Sequence, residues 1–232
     1  MIYVSATNRK LTEKYVDSAV FGLPNAIKLQ PIDIINKKDA TKVVMFGVLR
    51  GTHLVYKWAE KNKIDFYYID RPYWGETRNH PYYVKIVKNG HLKNWIEKRP
   101  YDRFENSFPW PIKPWKKNGK NIIVCPPSNA MKEFFGVHDW LENTLKTLKN
   151  NTDRPIIVKN KGYNPIIGYD KNGGYIVTGK DKQKPSGPID WDSAYAVVTY
   201  NSNITLEATT RGIPCFTDIH NACAPISETD FS

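Results

Sequence analysis

The polar run Asn201-Ser202-Asn203 has the clearest chemical potential in this 232-residue sequence. Three helix N-cap formers stand two residues after an apolar run, Ala196-Val197-Val198. They stand directly before a short helical pattern carrying Thr205 and Glu207, which Gly212 and Pro214 end. A polar turn between a strand's carboxyl end and the first N–H groups of a helix suits an anionic ligand. The same turn also occurs in βαβ units that bind nothing. Four other positions have chemistry to offer. Asp70 and Arg71 close the strand-like run Ile64–Ile69, giving a carboxylate and a guanidinium where open α/β sheets place their ligands. Arg50 follows the run Val43–Val48 in a strand-to-helix turn, as either a phosphate-holding group or a plain surface cation. Lys159 and Lys161 follow the run Pro155–Val158. His220 comes just after the last strand pattern, near the polar turn in sequence, as a ligand contact or a structural histidine.

The elements that must position these residues alternate. Val43–Val48, an amphipathic helical spacing over 52–62 (Leu54, Val55, Trp58, Ala59) and Ile64–Ile69 make a βαβ unit with a parallel sheet. Ile2–Ala6 is a further strand candidate, while residues 9–35 show no sustained period. A second α/β pattern starts at Asn121, with a strand through Cys125, a helix over 137–149 and a strand over 155–158. Residues 162–190 are rich in Gly, Lys and Asp, with a hairpin expected around Gly173–Gly174. Between the two patterns, residues 72–119 hold a possible strand at Tyr82–Val87 within a Pro-, Trp- and Lys-rich excursion. The expected fold is α/β: two Rossmann-like halves facing a cleft, residues 1–115 with the basic aromatic excursion and residues 116–232 with the polar turn.

Composition narrows the function. The net charge of +11 favours an anionic partner, although lysine used for solubility would also produce it. No apolar run approaches the roughly 20 residues needed to span a bilayer, so no membrane partner is expected. No signal segment is visible at the start, and the three cysteines have no metal spacing, which together fit a reducing, cytoplasmic setting. GxxxxGK[ST], GxGxxG, HExxH, CxxC and GxSxG are all absent, which argues against P-loop, dinucleotide, zinc-hydrolase and serine-hydrolase chemistry. Asp190-Trp191-Asp192 has the letters of a metal-binding DxD but precedes its strand and reads as a polar turn, so no essential metal is expected.

The stretch YNSNITLEATTRGIPCF resembles the serine-rich turn, helix-borne glutamate and G-x-P-V/C-F ending of two-Rossmann (GT-B) sugar transferases, both capsular-polysaccharide and phage-encoded. RPIIVKNKG is similar to a basic strand-end segment of those families, and FGVLRG and YYIDRPYW to turns of phage-encoded members. The resemblance implies a glycosyltransferase with a nucleotide-sugar donor, a UDP-sugar first. It implies that Ser202, Asn203 and Thr205 contact phosphate, that Glu207 accepts ribose hydroxyls, and that Lys159 or Lys161 lies near the pyrophosphate; His220, close to this turn in sequence, is then expected at the diphosphate or base unless it is structural. Glycosyl transfer needs a base for the acceptor hydroxyl, and Asp70 is the first choice, unless it only pairs with Arg71 or Arg50 to shape its turn. The acceptor side would use Arg50, Arg71, Trp74, Arg78, Trp110 and Trp115, where cations interleave with aromatic rings as in nucleic-acid grooves. The preferred acceptor is therefore a hydroxymethylated base in phage-type DNA, with a glycan as the alternative. A non-catalytic basic nucleic-acid-binding protein is the competing class.

Overall fold

The computed structural model describes residues 1–7, 9–73, 84–92, 111–160, 164–169, 171, 175–181 and 186–230. The chain forms two compact units, one of residues 1–91 with 165–179 and the other of residues 92–164 with 180–232. In the first unit, strands β1 (Ile2–Ser5), β2 (Ala26–Leu29), β3 (Lys42–Phe46), β4 (Asp65–Asp70) and β5 (Lys85–Lys88) form a sheet in the order β2-β1-β3-β4-β5. The first four strands run parallel, and β5 is antiparallel to β4, with Asp70 opposite Lys85. Helix α1 (Lys10–Gly22) covers one face, with Tyr15, Val16, Ala19 and Val20 packed on Val4, Val44 and Phe46. Between β2 and β3 lies the single turn α2 (Pro31–Ile34). From helix α3 (Thr52–Lys61), Tyr56 meets Phe66 and Tyr68 edge-on.

In the second unit, β6 (Asn121–Cys125), β7 (Ile156–Val158), β10 (Ala194–Thr199) and β11 (Cys215–Thr217) make a parallel sheet in the order β11-β10-β6-β7. β8 (Asn164–Tyr169) and β9 (Tyr175–Asp181), most of whose residues group with the first unit, pair separately as the expected hairpin, whose Gly173–Gly174 turn lies outside the described residues. After β6 come α4 (Asn129–Phe135) and α5 (Trp140–Asn151); α6 (Ile204–Thr210) joins β10 to β11. Alternate residues of β6 face opposite layers. Ile122 and Val124 meet Leu141, Leu145 and Leu148 of α5, while Ile123 and Cys125 pack with Ile204 and Ala208 of α6. This is the two-sided burial a parallel sheet requires. Glu228 exchanges backbone bonds with Cys215 and Thr217 and covers the outer edge of β11.

Three elements differ from the sequence expectation. Residues 9–35 contain α1, whose inward stripe is masked by Phe21, 96% exposed next to the last helical residue. The helix expected over 137–149 begins at Trp140, and a separate helix precedes it, starting after Ser128 and ended by Gly136 at φ +70°. The strand expected over 82–87 is observed at 85–88. Residues 111–120 form a strap with no regular structure. Lys113 N–H bonds to the carbonyl of Thr210, Lys120 N–H bonds to that of Ser193, and Lys116 reaches the carbonyl of Trp191. Gly212, at φ +71°, permits the strap to pass, because a Cβ there would lie 1.9 Å from the Pro114 carbonyl oxygen. Among the described residues, no helix is long and apolar enough to cross a membrane.

Candidate functional site

In the second sheet the connections leave β6 in one direction and β10 in the other. The crevice between their carboxyl ends is therefore a topological switch point, the usual ligand position in open α/β sheets. The polar turn stands there. Thr199, fully buried at the end of β10, donates its hydroxyl to the carbonyl of Cys125 on β6 at 2.6 Å and ties the two strand ends together. The hydroxyl of Ser202 accepts the N–H of Ile204 at 3.4 Å and opens α6. Beneath the turn, fully buried Asn221 donates to the Ser202 carbonyl at 3.2 Å and accepts the Thr205 hydroxyl at 2.9 Å and the Cys223 N–H at 2.8 Å.

The expected donor contacts thus divide. Thr205 is fully buried and its hydroxyl bonds to Asn221 and to the Ser202 carbonyl, so it shapes the turn from below. Asn203 is exposed and Ser202 partly so. Glu207, in the first turn of α6, is exposed, and its carboxylate has no protein partner among the described residues. Lys159 gives its ammonium to the carbonyls of Ser186 and Pro188, both at 2.9 Å, which anchors the loop before β10. Lys161 lies outside the described residues.

His220 is held more elaborately than its sequence position suggests. Its Nδ1 bonds to the carboxylate of Asp218, which also accepts the backbone N–H of His220 at 2.9 Å. Tyr200, at the end of β10, brings its hydroxyl within 3.3 Å of Nδ1 and lays its ring nearly parallel to the imidazole. Phe135 of α4 packs on the imidazole, with ring centroids 4.7 Å apart. Burial, reinforced by the Asp218 charge, pushes the Tyr200 hydroxyl far above its ordinary pKa, so it stays neutral, with the Asp218 carboxylate as its acceptor. Sequence reading named His220 but missed Asp218, Tyr200, Phe135 and Asn221. The Asp-x-His spacing was visible, but only the turn after β11 brings the two side chains together. Nearby, Trp140 meets Tyr200 edge-on, and an open depression of about 460 Å³ is lined by His138, Asp139, Trp140 and Asn143.

In the first unit, Asp70 ends β4. One carboxylate oxygen accepts the Tyr68 hydroxyl at 2.6 Å and the other the Arg71 N–H at 2.8 Å. The Lys85 ammonium stands 3.9 Å away, over the rings of Tyr68 and Tyr73. Burial lowers the Lys85 pKa, opposed in part by Asp70, and burial followed by Asp70 raises that of Tyr68. The partners of Asp70 are therefore Tyr68, Lys85 and the Arg71 backbone. Arg50 adopts a left-handed backbone at φ 61°, next to Gly51 at φ +89°. Trp115 is 55% exposed on the strap. Trp74, Arg78 and Trp110 lie outside the described residues. Among the described residues no group of three or more His, Cys, Asp or Glu side chains is placed to hold a metal ion, and Asp190 instead caps its turn through the N–H groups of Asp192 and Ser193.

Parallel sheets carrying helices on both faces, with the polar turn at a switch point, define a mixed α/β, Rossmann-like fold of the kind found in glycosyltransferases. Among solved structures the chain is similar to KpsC from Thermosulfurimonas dismutans, a beta Kdo 2,7 transferase, at 14% identity and a TM-score of 0.51. That match covers 93% of this chain and 78% of KpsC, and the likeness is one of fold. No protein-family model and no curated protein matches the sequence.

Proposed function

We propose that this protein transfers a sugar from a nucleotide-linked donor to a hydroxyl acceptor, with a glycan as the acceptor class. One observation carries the reading. The turn Tyr200–Asn203 stands at the switch point of a parallel sheet, and the helix that follows carries the Glu207 carboxylate, unpartnered among the described residues, in a fold shared with a sugar transferase. In this reading the exposed side of the turn receives the donor phosphates, with Ser202 and Asn203 as contacts, and Glu207 accepts hydroxyls of the donor ribose. Asn221 and Thr205 hold the turn rigid from below, so little ordering is left for the ligand to impose. Capsular glycans are often anionic, which suits a chain of net charge +11. The hydroxymethylated-DNA acceptor relies mainly on Trp74, Arg78 and Trp110, outside the described residues, and serves as the comparison arm of the assay.

The test is thermal-shift screening with UDP-, GDP- and CMP-linked sugars, followed by transfer to glycan and to hydroxymethylated DNA. One nucleotide class should stabilise the protein, by roughly 2.7 kcal/mol at a hundredfold excess over Kd. Glu207→Ala should lose that stabilisation while keeping the melting temperature of the free protein, because the carboxylate makes no bond to any described residue. Unchanged nucleotide affinity in Glu207→Ala would remove this donor site.

A further inference from the structure

We propose that His220 is the proton acceptor for the incoming hydroxyl in this transfer, with Asp218 as its positioning residue; the assignment rests on the transferase reading above. An ionised carboxylate only accepts hydrogen bonds, so the proton between Asp218 and His220 belongs to Nδ1, and in the neutral ring Nε2 then carries the lone pair. Asp218 also holds the backbone N–H of His220, which fixes the ring from a second point. Phe135 and Tyr200 pack against the imidazole, yet 42% of the side chain is exposed, and Nε2 has no protein partner among the described residues. The next residue, Asn221, bonds to the Ser202 carbonyl and to Thr205, which stitches the imidazole to the rim of the proposed donor turn. The carboxylate of Asp70, by contrast, already receives a donor on each oxygen.

The step is balanced. The acceptor hydroxyl gives its proton to Nε2 while its oxygen forms a bond to the anomeric carbon. The bond from that carbon to the donor's phosphate oxygen breaks, its electron pair leaving with the phosphate. The imidazolium so formed is paired with the Asp218 carboxylate and later returns its proton to water.

The test uses the full chain and the nucleotide-sugar class that stabilises it. His220→Ala should lower kcat by about 10²- to 10⁴-fold with the donor KM unchanged, and added imidazole should restore part of the rate. Asp218→Asn should lower kcat at constant KM, and nitrogen NMR should show the His220 ring moving from the Nδ1–H to the Nε2–H tautomer; Asp218→Glu should recover part of the loss. Wild-type kcat in His220→Ala, a loss confined to KM, or no imidazole rescue in a variant that melts like wild type would overturn the assignment. So would an Nε2–H tautomer in the unaltered protein, a result independent of any transfer assay. A chain that transfers no sugar from UDP-, GDP- or CMP-linked donors would instead overturn the transferase reading, and the base role with it.

Discussion

Glu13 shows how one side chain serves both a strand end and a helix start. Its carboxylate accepts the Thr7 hydroxyl at 2.7 Å and the Thr7 N–H at 3.2 Å just beyond β1, and it pairs with Lys28 on β2. Burial pushes its pKa up, but the bonds from Lys28 and Thr7 outweigh burial and hold it below the ordinary carboxyl value. A depressed folded pKa means that this stabilisation is present above the unfolded value and lost as pH falls through the folded one. Glu13→Gln should therefore melt lower than wild type at neutral pH, by the equivalent of about 1 kcal/mol. The two melting curves should converge in strong acid; a constant gap would mean that the charge contributes nothing. At this scale the sequence was only partly informative. His220 and Asp70 were recognisable from their positions after strands, and Glu207 from the sugar-transferase resemblance of its helix, whereas the partners of His220 and Asp70 were not. Asp218, Tyr200 and Lys85 reach them through a turn, a neighbouring strand end and an antiparallel edge strand, none of which has a local sequence period.

The strap of residues 111–120 and the glycine that admits it are the structural surprise among the elements. Gly212 and Gly136 share a left-handed backbone, at φ +71° and +70°, but only Gly212 is crowded. Gly136→Ala should lose only the left-handed preference, about 1–2 kcal/mol. Gly212→Ala adds a clash with the Pro114 carbonyl and should melt several degrees lower than Gly136→Ala. Equal melting temperatures would show that the strap is not held there. Buried strands such as VVMFGV and NIIVC were legible because both faces of a parallel sheet demand continuous apolar runs. Helix α1 was not, since exposed Phe21 breaks the stripe formed by Tyr15, Val16, Ala19 and Val20, between which Asp17 and Ser18 intervene. The strap has no period at all, and backbone bonds to Thr210, Gly212 and Ser193 fix its course.

For the whole molecule, the alternation of strands and helices pointed to the α/β class, and each of the two compact units carries a mainly or wholly parallel sheet. Residues 165–179, which group with the first unit, could not be assigned there from the sequence, because that association depends on contacts between residues far apart in the chain. The charge of +11 leads to a further expectation. Affinity for an anionic glycan should fall steeply between low and physiological salt while affinity for a neutral glycan stays level; a salt-independent anionic glycan would remove charge from acceptor recognition. The sheet order also has a consequence for how the chain is made. β6 pairs with β10 through residues 74 positions apart, Cys125 and Thr199 among them. At about 5–20 residues per second, a ribosome needs roughly 4–15 s to supply the second strand after the first. Throughout that interval one edge of Ile122-Ile123-Val124 has no native partner, which makes it the segment of the nascent chain most in need of a chaperone.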